Sequence, residues 1–277
     1  MSRAQRKMYR RGRGQVLLRR VLLFLTALIV LSGLATRLRS GGLRMEPILT
    51  PTPTPLAAGF DETVETREVA LAAETWYGLQ TGLFSTRQAA EEKADDYAAR
   101  GAPGYVLADG GKFRVLIACY GAQEDASAVR KRLNDQQGMD VYLHTWVNPA
   151  LAMRLTGMAG QLDVAEAGLT LLSQAAVRLR DGAIRIDRGE DTLAEASQAL
   201  RDMDAQVQLW RQTVKRRFGT PYPLLVEELL AASDVWDGLF AVMDDAMTLT
   251  DLSAAMKTGA MALFDEAVRM RAVLNEA

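Results

Sequence analysis

The sequence predicts an α+β protein: an N-terminal transmembrane helix, a β-α-β-β-α-β unit with a four-stranded antiparallel sheet, then an all-α antiparallel helical bundle. Three observations lead there. Residues 21–36 are an uncharged apolar run with arginines on both sides. Residues 71–146 alternate strand and helix signals in two weakly similar halves. From Asn148 onward the strand signals give way to heptads.

The N-terminal part is read from charge. Residues 1–44 hold eleven Lys/Arg and no acid, residues 45–146 nine basic and fifteen acidic residues, and residues 147–277 thirteen and nineteen. The net charge of −1 therefore hides a basic end and two acidic parts. The run "VLLFLTALIVLSGLAT" is 16 residues long, short of the roughly 20 that span a bilayer. Snorkelling of Arg19, Arg20 and Arg37 lengthens it. Eight Lys/Arg precede the run and three follow it. The expectation is a cytoplasmic basic tail at 1–20, a single-pass membrane anchor at 21–36, and an extracytoplasmic C-terminal portion. The competing reading is a cleaved signal peptide, with Gly33 and Ala35 before the cut; Arg37 and Arg39 argue against it. Residues 37–70, with Thr-Pro alternation from Thr50 to Pro55, read as an extended linker.

Residues 71–146 read as strand, helix, strand, strand, helix, strand. A first strand contains Thr75–Leu83. Ser85 and Gln88 then suggest a capping box for an Ala-rich helix closed by Gly101, with Ala90, Ala94, Tyr97 and Ala98 inward. Asp109-Gly110-Gly111 is a hairpin signal. A second helix turns Ala126, Val129 and Leu133 inward, and "MDVYLHTW" closes the unit. Phe84 matches Tyr120, Ala90 matches Ala126 and Tyr97 matches Leu133 at an offset of 36 residues. Two β-α-β halves give four antiparallel strands with both helices on one face. The other face is expected to be open.

Residues 147–277 read as a four-helix bundle. Leu151, Leu155, Met158, Leu162, Ala165, Leu169, Leu172, Ala176 and Leu179 step by four and three, as do Leu193 through Val214. Asn148-Pro149 and Thr220-Pro221 read as helix starts. Asp191 or Thr192, and Thr250, read as caps for the other two. The helices are expected near 149–187, 192–218, 221–248 and 251–276, folding independently of the preceding unit.

Few residues point to chemistry. One histidine, His144, and one cysteine, Cys119, cannot form a Cys/His zinc cluster. Asp202, Asp204, Asp244 and Asp245 read as solvated helix faces rather than a carboxylate pair. No metal, cofactor or catalytic residue is expected, and the chain reads as a non-enzyme. Nucleic acid is not an expected partner, because the folded parts are acidic.

The stretch "YGLQTGLF", followed by "AAEEKADDYAARG", "GYVLADGG" and "FRVLIACY", resembles the SPOR (sporulation-related repeat) family over residues 75–146. Ala118-Cys119-Tyr120 departs from the family's Gly-Pro-Phe-like corner and keeps only the aromatic. The resemblance implies a ferredoxin/RNP-like fold. It also implies binding of peptidoglycan glycan strands stripped of stem peptides, at division or sporulation septa, across the open sheet face. The family's glutamine falls on Gln80, its third-strand arginine on Arg114 and a hairpin position on Lys112. A small polar family position is Leu83 here.

Strand alternation complements the resemblance. Tyr77, Leu79, Thr81 and Leu83 would face the helices, while Trp76, Gly78, Gln80 and Gly82 face away. Gly78 and Gly82 either let a polysaccharide approach the backbone or mark a bulge. Trp76 either stacks on a sugar or lies under the bundle. Gln80 offers donor and acceptor to hydroxyls and acetamido groups. Lys112 and Arg114 could meet lactyl carboxylates, or be solvated charge beside a hairpin. Tyr142 and His144 border the face. The competing functions are an RNA-recognition module, a wall hydrolase, and a bundle that engages a division or sporulation protein with the SPOR-like unit as its address.

Overall fold

The structure, a computed structural model, describes residues 63–244, 246 and 248–276. The expected basic tail, the anchor at 21–36 and linker residues 37–62 lie outside the described residues. Among the described residues, no helix is long and apolar enough to cross a membrane.

Two strands open the fold, β1 (Val64–Leu71) and β2 (Glu74–Phe84), followed by α1 (Arg87–Ala98). Next come β3 (Tyr105–Asp109), β4 (Lys112–Tyr120), α2 (Gln123–Gln137), β5 (Tyr142–Asn148) and β6 (Leu151–Met158). Four helices complete it: α3 (Ala159–Asp187), α4 (Leu193–Arg217), α5 (Leu224–Asp244) and α6 (Leu249–Glu276).

The main sheet is antiparallel with strand order β3-β4-β2-β5, as two β-α-β halves require. Gly110 and Gly111 take φ of 57° and 75° between paired Asp109 and Lys112, the mirror-image turn that matches strand twist. Helix α1 is capped by the Thr86 side chain, which accepts from Ala89 N, rather than by the expected Ser85. Ala90, Ala94, Tyr97, Ala126 and Leu133 pack with Leu79, Val115 and Ile117 on the sheet's inner face, while Ala98, expected inward, lies exposed at the helix end.

Residues 64–70 are not linker. They form β1, antiparallel to β6, with Leu71 opposite Leu151 and Val64 opposite Met158. Residues 151–158 are likewise not helical, so the first long helix starts at Ala159, and Asn148-Pro149 turns between two strands. Leu151, Leu155 and Met158 fit a heptad, but Leu151, Met153 and Leu155 also alternate. Over eight residues both periods are met, and pairing with β1 decides between them. The register of β1 with β6 is that of β2 with β5, where Glu74 lies opposite Asn148 and Gln80 opposite Tyr142. The two pairs are one ribbon, interrupted only at 72–73 and 149–150.

Helices α3 to α6 form a four-membered bundle in which each helix packs on the next and α6 closes on α3. The stripe residues are buried as expected: Leu162, Ala165, Leu169, Leu172, Ala176 and Leu179 on α3, and Ala196 to Val214 on α4. Thr192 and Glu195 make a capping box. A Cβ on Gly168 would come within 2.6 Å of the Trp210 ring, so this glycine lets the indole lie on α3 and donate to Val164 O at 2.9 Å.

The sheet's second face is only half open, contrary to expectation. Trp76, Leu107, Leu116, Cys119 and Trp146 share one buried cluster with Leu179, Met256, Met261 and Phe264 of the bundle. The bundle is therefore continuous with the sheet through a common core. Trp76 stacks on Phe264, centroids 4.2 Å apart and 15° between planes, and Arg180 lies 4.7 Å from its centroid. Tyr105 donates to Asp265 at 2.8 Å. Buried Arg271 donates to Ala72 O and Pro149 O at 2.8 and 2.6 Å, bridging the interruption in the ribbon.

Candidate functional site

What remains uncovered on this face is its half nearest the β3–β4 hairpin. Gln80 on β2 lies opposite Tyr142 on β5 and Leu116 on β4. Leu83 lies opposite Arg114, which in turn lies opposite Leu107 on β3. Arg114 Nη1 donates to Gln80 Oε1 at 2.7 Å, and its Nε donates to Asp109 Oδ2 at 2.6 Å. A polar network thus crosses three strands. The Gln80 side chain is packed down, 8% exposed, while Tyr142 at 62% and Leu83 at 43% stand in solvent on either side of it. Lys112 is exposed at the hairpin.

The network fixes geometry before any ligand arrives. Asp109 and Gln80 hold the guanidinium by two edges, so its plane and position are set. One donor edge and the Gln80 amide nitrogen are left for an oxygen-rich partner. His144 sits beside this network, opposite Gly78. Burial holds its pKa below the ordinary 6.5 and nearby Arg114 lowers it further, with Asp109 opposing. It is a neutral imidazole at pH 7, which adds hydrogen-bonding capacity without charge.

The structure separates the expected site residues. Gln80, Arg114, Lys112, Leu83 and Tyr142 come together on the uncovered half. Trp76 does not; it is fully buried against Phe264 and bonded through Nε1 to Glu74 at 2.6 Å, so neither ring face is offered to a sugar. Gly78 is also covered, because a Cβ there would sit 3.3 Å from both Leu116 methyls. Gly82 points to the other side. The register of β2 on β4 slips between Leu79 and Gly82, a bulge that flips the alternation. Gly82 then lies opposite inward Val115, where a Cβ would come 2.5 Å from the Phe84 ring. Leu83, expected to face the helices, faces out instead. The bulge accounts for Gly82, while Gly78 lies in regular register and makes room for Leu116.

In the sequence Asp109 stands only as a turn residue, yet in the fold it anchors Arg114. Its signal was available: two residues flanking a tight hairpin are opposed, and Arg114 lies two pairs further along, on the same face. Cys119 is buried in the shared core, and burial pushes its thiol up to about 12, so it is unreactive packing.

Residues 73–143 match the family model of the SPOR domain. This segment is a SPOR domain, as its strand and hairpin motifs implied. Among solved structures, the peptidoglycan-binding domain of the B. subtilis cell wall lytic enzyme CwlC aligns at 22% identity, covering 27% of this chain and 95% of that one, with a TM-score of 0.24. No curated protein matches the chain.

Proposed function

We propose that this protein is a membrane-anchored, non-enzymatic cell-wall protein whose SPOR domain binds denuded peptidoglycan glycan through the uncovered half of its sheet. The network of Gln80, Arg114 and Asp109, flanked by Tyr142, is the observation that carries the reading. Gln80 and Arg114 suit hydroxyl, acetamido and carboxylate oxygens, and Tyr142 offers an exposed ring at low entropic cost. The anchor is residues 21–36, with the folded part outside the membrane and directed to division or sporulation septa. This assignment rests on the charge asymmetry of residues 1–44. The bundle acts as the support of the site, since it shares the sheet's core, and any partner it engages does so from its outer surface.

The test is pull-down of the full chain on sacculi treated with amidase. An uncharged hydrogen bond lost from a ligand costs on the order of 1 kcal/mol, several-fold in affinity. Gln80→Ala should bind several-fold more weakly, and Arg114→Ala more weakly still with a loss that shrinks at high salt. Parental binding by both variants, while the wild-type chain is retained, would move the glycan off this face.

A further inference from the structure

A second site lies on the opposite side of the SPOR domain. The helices α1 and α2 leave a gap over the sheet's inner face, and the tip of the bundle closes its mouth. The cavity holds about 470 Å³, within the range of about 300–1,000 Å³ typical of small-molecule sites, which also favour domain junctions. Its two walls differ. The SPOR wall is apolar at Leu79, Ile117, Val129 and Leu133 and polar at Asp125, Arg132 and Gln137 of α2. The bundle wall carries Asp187, Ser253 and Lys257. Ser253 donates to Asp187 Oδ1 at 2.6 Å, and Lys257 reaches Asp187 Oδ2 at 2.6 Å. The Lys257 side chain is only 15% exposed, and its ammonium has two further donors beyond that bond. Arg132 adds a second cation to the lining, and Asp125 adds a carboxylate. Gln137 also lines the cavity, and its Oε1 is buried with no hydrogen-bond partner. A buried amide oxygen without a partner marks a place where a polar group is missing.

We infer that this cavity binds a single-chain amphiphile of the fatty-acid class, its acyl chain against the SPOR wall and its carboxyl group between Lys257 and Gln137. The apolar wall accounts for the chain, which gains from leaving water. The ammonium accounts for the carboxylate, and the Gln137 amide supplies a second polar contact with its NH2 group turned to donate. The inference does not depend on the glycan reading, because the cavity lies on the other face of the sheet.

The test uses the full chain in lipid nanodiscs with a photoreactive diazirine fatty acid, and mass spectrometry of the crosslinked peptides. Crosslinks are expected on the α2 segment containing Val129 and Leu133 and on the α6 segment containing Ser253 and Lys257. Ala128→Trp, at an exposed position on the cavity's rim, should suppress both roughly tenfold without changing the melt. Lys257→Gln should reduce them for the free acid and leave them unchanged for its methyl ester. Crosslinks on residues 21–36 report the anchor separately and should persist in every variant. Crosslinking confined to residues 21–36, or crosslinks on α2 and α6 that ignore Ala128→Trp, would overturn the inference.

Discussion

One sheet face is divided between two environments. At the end where β2 begins, Trp76, Leu116, Cys119 and Trp146 are sealed beneath α3 and α6. At the hairpin end, Gln80, Arg114, Asp109, Lys112 and Tyr142 meet water or one another. The same strands build both halves, so the difference lies in the side chains. Buried aromatic area holds the bundle on, and a guanidinium held by two oxygens keeps the other half polar. A covered half fixes the sheet's position while the open half keeps a rigid polar surface facing solvent. This contrast teaches that a strand pair can serve an internal interface and an external one at different points along its length.

The contrast can be broken or sharpened by substitution. The largest effect is expected from Trp76→Ala, which removes a fully buried ring from the shared core and should cost about 3–5 kcal/mol. Chemical denaturation of the full chain measures it, and a loss under about 1 kcal/mol would mean that the bundle does not hold this half closed. Arg271→Leu comes next, because it leaves the carbonyls of Ala72 and Pro149 without their buried donor. A cost of about 1–3 kcal/mol is expected, with faster amide exchange in residues 71–74 and 148–151. Tyr105→Phe deprives Asp265 of its hydrogen bond. Burial already raises the pKa of that carboxyl group, so the change should cost about 1–2 kcal/mol in the same denaturation assay.

On the open half the expected effects on stability are smaller. Arg114→Ala should change stability by under about 1 kcal/mol, since its ion pair with Asp109 is partly solvated, while binding to sacculi falls. A large stability loss would mean that the network serves the core. His144 gives the smallest effect. Its folded pKa is lowered, so protonation favours the unfolded chain. Its cost is absent above the ordinary value of 6.5, grows as pH falls through that value, and is complete below the folded pKa. His144→Gln should flatten the melting temperature across that window, and an unchanged slope would place the titration elsewhere.

Much of this architecture was legible in the sequence because its signals are local. The Asp109-Gly110-Gly111 turn, the heptads on α3 and α4, and the two β-α-β halves each depend on a few neighbouring residues. The β1–β6 pairing was not legible, because Val64 and Met158 are far apart in sequence and each strand reads ambiguously alone. The bulge at Gln80–Gly82 was only half legible. Two glycines announced an irregularity, but the direction of the flip depends on the register against β4. The covering of Trp76 had a signal: Trp76, Leu116 and Trp146 share a face that an open sheet would not fill with such large apolar groups. Against that, the polar Gln80 and Arg114 drew attention to the same face, and nothing in the sequence marks where its two halves divide.

The shared register of β1–β6 and β2–β5 also sets how tension would run through the molecule. A pull applied at Thr63 enters β1 along its axis and continues through residues 72–73 into β2, reaching Gln80 without passing through the bundle. The hydrogen bonds to β6 and β5 lie across that line and are loaded together, in shear, rather than opened one after another. The Arg271 bonds sit at the one place where the ladder is interrupted, as a clasp on the weakest link. Such a chain resists elongation between its point of entry and the surface proposed to bind glycan, the mechanical property that the proposed anchoring would require.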